Sequence, residues 1–369
     1  MQRSLTSTIA IGHPATAPLP IRPLVRRFPA NQSLPASSDA GSRTSPQSRA
    51  REPRPAIAYA VPLPWRRTAM RILSAVFALS FLLALAPAHA QDSEAPLSYA
   101  GKTALVTGST DGLGRELALA LAADGAHVIV HGRNAQRGQD VVDEITRSEK
   151  GSARFVAADF SSLQAVREFA DIIAKQHPRL DLLVNNAGIA IRQAPRRSAN
   201  EDGHELQFVV NYLAGWILAN RLLPNLQAAA PSRVVNVSSI SAHAIDFDDV
   251  MLEKPDAHQR GYGQSKLAQV MMTMELAPAF AARGVTMISL HPATLMDTTM
   301  VRGIGVPART TVAEGRDHVM GLVTAPSLRP GAFYVEGKPA TPFDPQASDP
   351  EARARLVELS AELTGIAAP

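Results

Sequence analysis

From about Ser98 onward, short β-branched runs alternate with longer Ala- and Leu-rich amphipathic segments. Runs without a polar face are buried on both sides when they form strands, which requires a parallel sheet covered by helices above and below. The expected strands are Thr103 to Thr107, His127 to His131, Arg154 to Ala157, Leu180 to Asn185, Arg233 to Val237, Val285 to Leu290 and Phe333 to Val335. Helix-length segments separate them, so the expected architecture is a single α/β domain with a doubly wound parallel sheet of the Rossmann type. No internal repeat or second domain interrupts it.

Composition bounds the rest. The 369 residues are 46% hydrophobic and contain no cysteine, which supports a sizeable core and excludes disulfide scaffolds and thiolate metal sites. The ten histidines show no metal-ligand spacing, so no metal is expected. A pI near 9.6 would suggest a polyanion binder, but its source is local. Residues 1–70 carry ten Arg against Asp39 and Glu52, whereas residues 91–369 carry 26 Lys+Arg against 31 Asp+Glu, a net of −5. Nucleic-acid binding by that larger part loses its support, and such a role for residues 1–69 rests on charge alone.

Eleven of the 28 prolines fall in the first 64 residues, among Ser and Arg and without apolar periodicity. Residues 1–69 therefore read as a disordered leader. It is either a solvated interaction tail or sequence upstream of a true start at Met70. Residues 70–90 then supply a basic start, an apolar run from Ile72 to Ala86 and an Ala88-His89-Ala90 cleavage pattern, as secretory signal peptides do. The 15-residue run is short of the roughly 20 needed for a spanning helix. Export is expected if this segment is used. Retention would tether the domain to a membrane, and cytoplasmic residence is the other alternative. Arg66-Arg67 offers a weaker twin-arginine reading.

After the first strand comes Thr107-Gly108-Ser109-Thr110-Asp111-Gly112-Leu113-Gly114, followed by an Ala/Leu-rich helix. Glycines permit a tight turn and close backbone approach to a diphosphate, and a helix N-terminus offers unpaired N–H groups with its positive dipole end. The second strand runs into Gly132-Arg133-Asn134, where dinucleotide folds meet the adenosine ribose. No carboxylate stands there to bond a 2′-hydroxyl, whereas the Arg133 guanidinium suits a 2′-phosphate. NADP is therefore expected in preference to NAD.

Several ordered motifs give residues 102–369 a resemblance to the short-chain dehydrogenase/reductase family. Thr107 to Gly114 matches its Thr-Gly-x-x-x-Gly-x-Gly loop, Asn185-Asn186-Ala187-Gly188 its Asn-Asn-Ala-Gly, and Tyr262-Gly263-Gln264-Ser265-Lys266 its Tyr-x-x-x-Lys. Ser239 aligns with the family serine and Asn211 with its helix asparagine. The resemblance implies a catalytic set of Asn211, Ser239, Tyr262 and Lys266. Tyr262 would be the general acid or base, Ser239 would hold the carbonyl oxygen, Lys266 would bind the nicotinamide ribose, and Asn211 would position a water. Cofactor contacts are implied for Gly108, Ser109, Gly112, Leu113, Gly114, Asn185, Ala187, Gly188, Tyr262 and Lys266. Asp159 and Phe160 resemble the pair bordering adenine, although Asp159 would serve equally as a helix cap. Ser238 is expected to point away from Ser239 by strand alternation. Tyr262 and Lys266, four apart on a helix running to about Arg283, share a face, and a nearby ammonium would draw the phenol toward neutral pH.

The pattern departs from the family after the sixth strand. His291-Pro292-Ala293 replaces the usual Pro-Gly, and the threonine register is offset by one, leaving Thr294 and Thr298 as alternatives beside Pro292 and Leu295. Ser239 and Tyr262 are 23 apart, with an Asp-rich insert at residues 245–259, a length similar to the retinol-dehydrogenase-like and protochlorophyllide-reductase-like branches. An apolar or bulky carbonyl or alcohol substrate is implied, with residues 296–315 as a lid. His243 reads as pocket wall. A homo-oligomer, dimer or tetramer, is expected through the helices at Glu201 to Leu226 and Tyr262 to Arg283, as in the family. The competing function is a dinucleotide-binding sensor on the same fold, against which the retained Tyr262 and Lys266 argue.

Overall fold

A computed structural model describes residues 95–191 and 197–369; the leader at 1–69 and the signal-like segment at 70–90 lie outside the described residues. All seven expected strands form: β1 (Thr103–Val106), β2 (His127–Gly132), β3 (Ser152–Ala157), β4 (Leu182–Asn185), β5 (Ser232–Val237), β6 (Val285–His291) and β7 (Phe333–Val335). An eighth, β8 (Lys338–Ala340), turns back antiparallel on β7 and carries Pro339 at the sheet edge, where a missing N–H costs no ladder bond. The order β3-β2-β1-β4-β5-β6-β7-β8 reverses direction at β1, which pairs in parallel with both β2 and β4.

Helices cover both faces, and the first three are each started by a side-chain cap. Asp111 caps α1 (Gly112–Ala123), Asn134 caps α2 (Ala135–Ser148) and Ser162 caps α3 (Leu163–Gln176). On one face, α1, α2 and the later helix at Val312–Val323 enclose Leu117, Leu121, Val141, Ile145 and Val319 against the sheet. The opposite core holds Phe169, Phe208, Tyr212, Trp216 and Phe280.

The segment expected as one helix over residues 201–226 is broken. It runs as Leu206–Phe208, a π turn at Val209–Leu213, α4 (Ala214–Arg221) and a last turn at Leu223–Ala228. The π turn inserts a residue into the helical ladder, an arrangement found mostly at functional sites. Beside it lies α5 (Gly261–Ala281), then α6 (Val312–Val323) and α7 (Pro350–Thr364). Among the described residues no helix is long and apolar enough to cross a membrane.

The helix pair expected to meet another subunit is covered by this chain's own C-terminal segment. Ser360 on α7 lies 2.6 Å from the Tyr212 hydroxyl, Trp216 Nε1 donates to the Ile366 carbonyl at 3.1 Å, and Arg353 pairs with Glu275 at 2.8 Å. Gln346 binds both backbone groups of Ile245, at 2.7 and 3.0 Å, and so fastens the insert between Ser239 and Tyr262. An oligomer through this face would have to displace α7.

The turn after β1 is packed closely against backbone. Gly108 adopts φ +65°, and a Cβ there would stand 2.9 Å from Ala187 Cα. A Cβ on Gly114 would stand 2.3 Å from the Gly108 carbonyl oxygen and 2.5 Å from Asn186 Nδ2. Gly114→Ala should therefore lower stability by about 2 kcal/mol through overpacking against backbone that has no room to yield. A urea unfolding midpoint unchanged from the parent would refute that.

Candidate active site

The strand-order reversal leaves a cleft of about 1110 Å³ across the carboxyl ends of the strands. Its walls come from the Gly108–Gly114 turn, the ends of β2 and β3, residues 186–191 after β4, residues 237–243 after β5, α5, and residues 291–306 after β6.

Thr107 organises the cofactor end. Its hydroxyl accepts from the N–H groups of Asn186 and Ala187 at 3.0 and 2.9 Å and donates to the Val184 carbonyl at 3.2 Å. Asn186 Nδ2 in turn donates to the Thr107 and Gly108 carbonyls at 2.8 and 3.3 Å. Asn186, which sequence reasoning passed over, is thus the member of the Asn-Asn pair that holds the glycine turn. Asn185 is a correction: its side chain is buried below the cleft and donates to Asn236 at 2.8 Å, with no face on the cofactor space. Alternation at the strand end carried this signal.

Ser109 is a second correction. Its hydroxyl is fully buried, donating to the Val106 carbonyl at 2.7 Å and accepting from the His131 N–H at 3.0 Å, so it braces the turn from within. The surface offered to a ligand is Gly108, Thr110, Asp111, Gly112, Leu113 and Gly114, at the start of α1. The residues fit a diphosphate, because Cβ atoms at Gly108, Gly112 or Gly114 would occupy the cradle or strike its walls.

Arg133 reaches the rim of the cleft, with its guanidinium 3.7 Å from Asp159. Arg137, in the first turn of α2, pairs with Asp111 at 3.8 Å. Both side chains are exposed and both line the cleft; Arg137 was missed because its position on α2 gave it the pattern of a solvated helix residue. Asp159 also accepts from the Ser161 N–H at 3.0 Å, while the cap of α3 is Ser162. Phe160 lies buried in the wall.

At the other end, the chain after β5 and the start of α5 bring Ser239 and Tyr262 to the cleft, with the Ser239 hydroxyl close enough to act on the phenol. Ser238 points elsewhere, donating to the Lys266 carbonyl at 2.7 Å. Lys266 is buried, and its Nζ donates to the Val237 carbonyl at 2.8 Å and to Gln269 Oε1 at 3.0 Å. The π turn directs Asn211 inward, where its amide bonds the Ile189 N–H and carbonyl and Ser265 at 2.8–3.0 Å. A Cβ on Gly188 would lie 3.3 Å from Asn211 Oδ1 and 3.6 Å from Lys266 Nζ, so the glycine leaves the gap in which these two groups converge.

The electrostatics correct one expectation. Lys266 does not draw the phenol down; burial pushes the Tyr262 pKa up, opposed by the hydrogen bond to Ser239. The ammonium itself, with two uncharged acceptors, is pushed down by burial to about 7. Burial of His291, also in the cleft wall, lowers its imidazole to about 4.

Much of the remaining wall is aliphatic, with Ile189, Ile191, Leu206, Val210, Met300 and Ile304 lining the cleft alongside Ser241, Gln259 and Thr299. His243 packs over Gly263, its Cδ2 2.6 Å from where a Cβ would stand, and acts as wall. Pro292 and Leu295 line the cleft, with Leu295 at φ +53°. Thr294 is engaged by His291 at 3.1 Å, whereas the Thr298 methyl lies 3.3 Å from a Cβ position on Gly112, which puts Thr298 beside the cradle.

Comparison with known proteins agrees with this geometry. The short chain dehydrogenase family model matches residues 102–306. Human retinol dehydrogenase 13 is 35% identical over 291 residues, spanning 73% of this chain and 86% of that protein. Human retinol dehydrogenase 12 is 34% identical over 280 residues, spanning 72% and 87%. The Pseudomonas aeruginosa RhlG/NADP active-site complex superposes with a TM-score of 0.53 at 26% identity, covering 64% of this chain and 95% of that one. The chain belongs to the short-chain dehydrogenase family, in its retinol-dehydrogenase-like branch, and is an NAD(P)-dependent oxidoreductase of CH–OH and C=O groups.

Proposed function

We propose that this oxidoreductase prefers NADP(H) and interconverts a bulky, apolar carbonyl compound with its alcohol. One observation carries the reading: a single cleft joins two rim guanidiniums, Arg133 and Arg137, to a Ser239–Tyr262–Lys266 group walled by aliphatic side chains. The nicotinamide supplies or accepts the hydride when bound. The protein's part is to hold the substrate oxygen between two hydroxyls and to move one proton. In reduction, Tyr262 gives its phenolic proton to that oxygen while Ser239 donates a hydrogen bond to it. A raised Tyr262 pKa keeps the phenol protonated at neutral pH, the form that reduction consumes. Lys266 and Asn211 converge by Gly188, where ribose hydroxyls and a water would be held. Thr298, Pro292 and Leu295 close the same space from the β6 side, and Phe160 with Asp159 walls the adenine end.

The 2′-phosphate preference follows from charge. Two guanidiniums at the rim meet a dianion with charge-assisted bonds, each worth about 1.5–3 kcal/mol. The carboxylates of Asp159 and Asp111 now partner them and would release them to a phosphate. The human relatives named for retinol, and the cleft's aliphatic end, support a large apolar substrate.

The sequence of residues 70–90 supports export, with a membrane tether if the segment is retained. Mature protein from the native cell should begin at Gln91; an N-terminal sequence starting at Met1 or Met70 overturns cleavage.

Arg133→Asp with Arg137→Asp should weaken NADPH binding by at least about 100-fold while leaving NADH within a few fold, measured by nicotinamide fluorescence. Equal loss for both nucleotides would remove the phosphate reading. Tyr262→Phe should retain NADPH affinity and slow hydride transfer by about 10²–10⁴-fold across a set of apolar aldehydes and ketones. Parent-like turnover by the Phe variant would remove Tyr262 as the proton donor.

A further inference from the structure

His131 is a buried titratable group at the cofactor end for which the reaction has no use. It stands near the end of β2, 3% exposed, and joins three loops of the cleft. Its Nδ1 accepts the Gly108 N–H at 3.0 Å, and its Nε2 lies 3.2 Å from the Ala158 carbonyl oxygen. Its own carbonyl accepts the Ser109 N–H at 2.8 Å, and its N–H donates to the Ser109 hydroxyl at 3.0 Å. The ring stacks on Phe160 with centroids 3.9 Å apart and 20° between planes, and Phe169 packs tilted at 4.8 Å.

These partners determine the protons. An amide N–H only donates and a carbonyl only accepts, so Nδ1 is bare and Nε2 carries hydrogen. A second proton would set N–H against the Gly108 N–H. Burial favours the same neutral form, outweighing the Ala158 carbonyl and the Asp159 carboxylate, both of which favour protonation. The amides of Gly108 and Ser109 are both directed at this residue, so the turn that presents Gly108 and residues 110–114 to the cleft hangs from His131. A phenylalanine would fill the volume and keep the stack, but it would strand the Gly108 N–H and the Ala158 carbonyl.

We infer that His131 is a positioning residue for the dinucleotide, its Nε2–H tautomer coupling the glycine turn under the diphosphate to the Phe160 wall of the adenine end. The inference rests on the dinucleotide reading of the cleft. It makes the two ends of the binding surface one rigid unit, because a shift of either loop breaks a bond at the shared ring.

The test uses the full chain with His131→Phe and His131→Asn, NADPH titrations followed by nicotinamide fluorescence, and 15N NMR of the histidine rings. The Asn variant keeps a short acceptor for the Gly108 N–H and loses the link to Ala158. The expected results are a bare Nδ1 and protonated Nε2 for His131 at pH 7, at least about tenfold weaker NADPH binding by the Phe variant, and partial recovery by the Asn variant. An Nδ1–H or doubly protonated ring, or NADPH binding by the Phe variant within twofold of the parent, overturns the inference. Should the Phe variant fail to fold, the parent's tautomer and the Asn variant's affinity decide: Asn binding as tightly as the parent overturns it. A parent that binds neither NADPH nor NADH overturns it too, and the intact tautomer signal would then place the failure in the dinucleotide reading.

Discussion

The hydroxyl of Thr107 is shared by three backbone groups of β4 and the loop that leaves it, and the cleft depends on that clasp. At β1 the chain begins to lay strands on the other side of the sheet, so the loops leaving β1 and β4 depart toward opposite faces. Such a divergence opens a crevice but does not by itself hold its lips at a set distance. The clasp, reinforced by Asn186 across to the Thr107 and Gly108 carbonyls, ties the glycine turn to the β4 loop at hydrogen-bond distance. Ala187 can then sit under Gly108, and Gly188 can open the gap shared by Asn211 and Lys266. The cofactor cradle and the proton-transfer groups therefore share one frame.

Burial sets the chemistry inside that frame. Lys266 has no carboxylate partner, only a carbonyl and the Gln269 amide, so its charged form lacks the compensation that a buried ammonium ordinarily needs. The same environment raises Tyr262 and leaves its Ser239 hydrogen bond as the opposing influence. Both shifts favour neutral forms, so the site without cofactor holds a phenol and an amine close to its titration point. The Lys266 Nζ lies over the tyrosine ring, 5.7 Å from its centre. The sequence spacing correctly places them on one helix face; it carries no information on the dielectric around them, which comes from β5, β6, the π turn and α7 packing on α5.

Periodicity made the sheet legible because strands buried on both faces leave unbroken β-branched runs, as in Val128 to Val130 and Val234 to Val235. The antiparallel β8 escaped notice: three residues including a proline, half exposed at an edge, have no such signature. Helix continuity failed at Val209–Leu213, since a π turn has the same composition as the α-helix it interrupts. Among site residues, the motifs located the right pairs and erred within them. Asn185 and Ser109 each adjoin the residue that faces the cleft, and alternation distinguishes the members only once strand register is known. Arg137 and His131 were hidden for opposite reasons. One looks like any solvated arginine on a helix, the other like any core histidine, and their importance comes from neighbours distant in sequence.

The two halves of the cleft have separate structural origins. The cofactor half is made by the first four strands and the turns that follow them, with little inserted sequence. The apolar half takes its walls from the β4 loop, from the insert between Ser239 and Tyr262, and from residues 296–306 after β6. That insert is fastened to the C-terminal segment by Gln346 and by Arg355, which bonds the Phe247 carbonyl and stacks over its ring. Gln346 and Arg355 thus brace the loop beside the apolar half without lining the cleft themselves. Changes in α7 or the insert would alter the bracing of the loop beside the apolar half while the Thr107 clasp stayed intact, so the two halves of the cleft can vary separately.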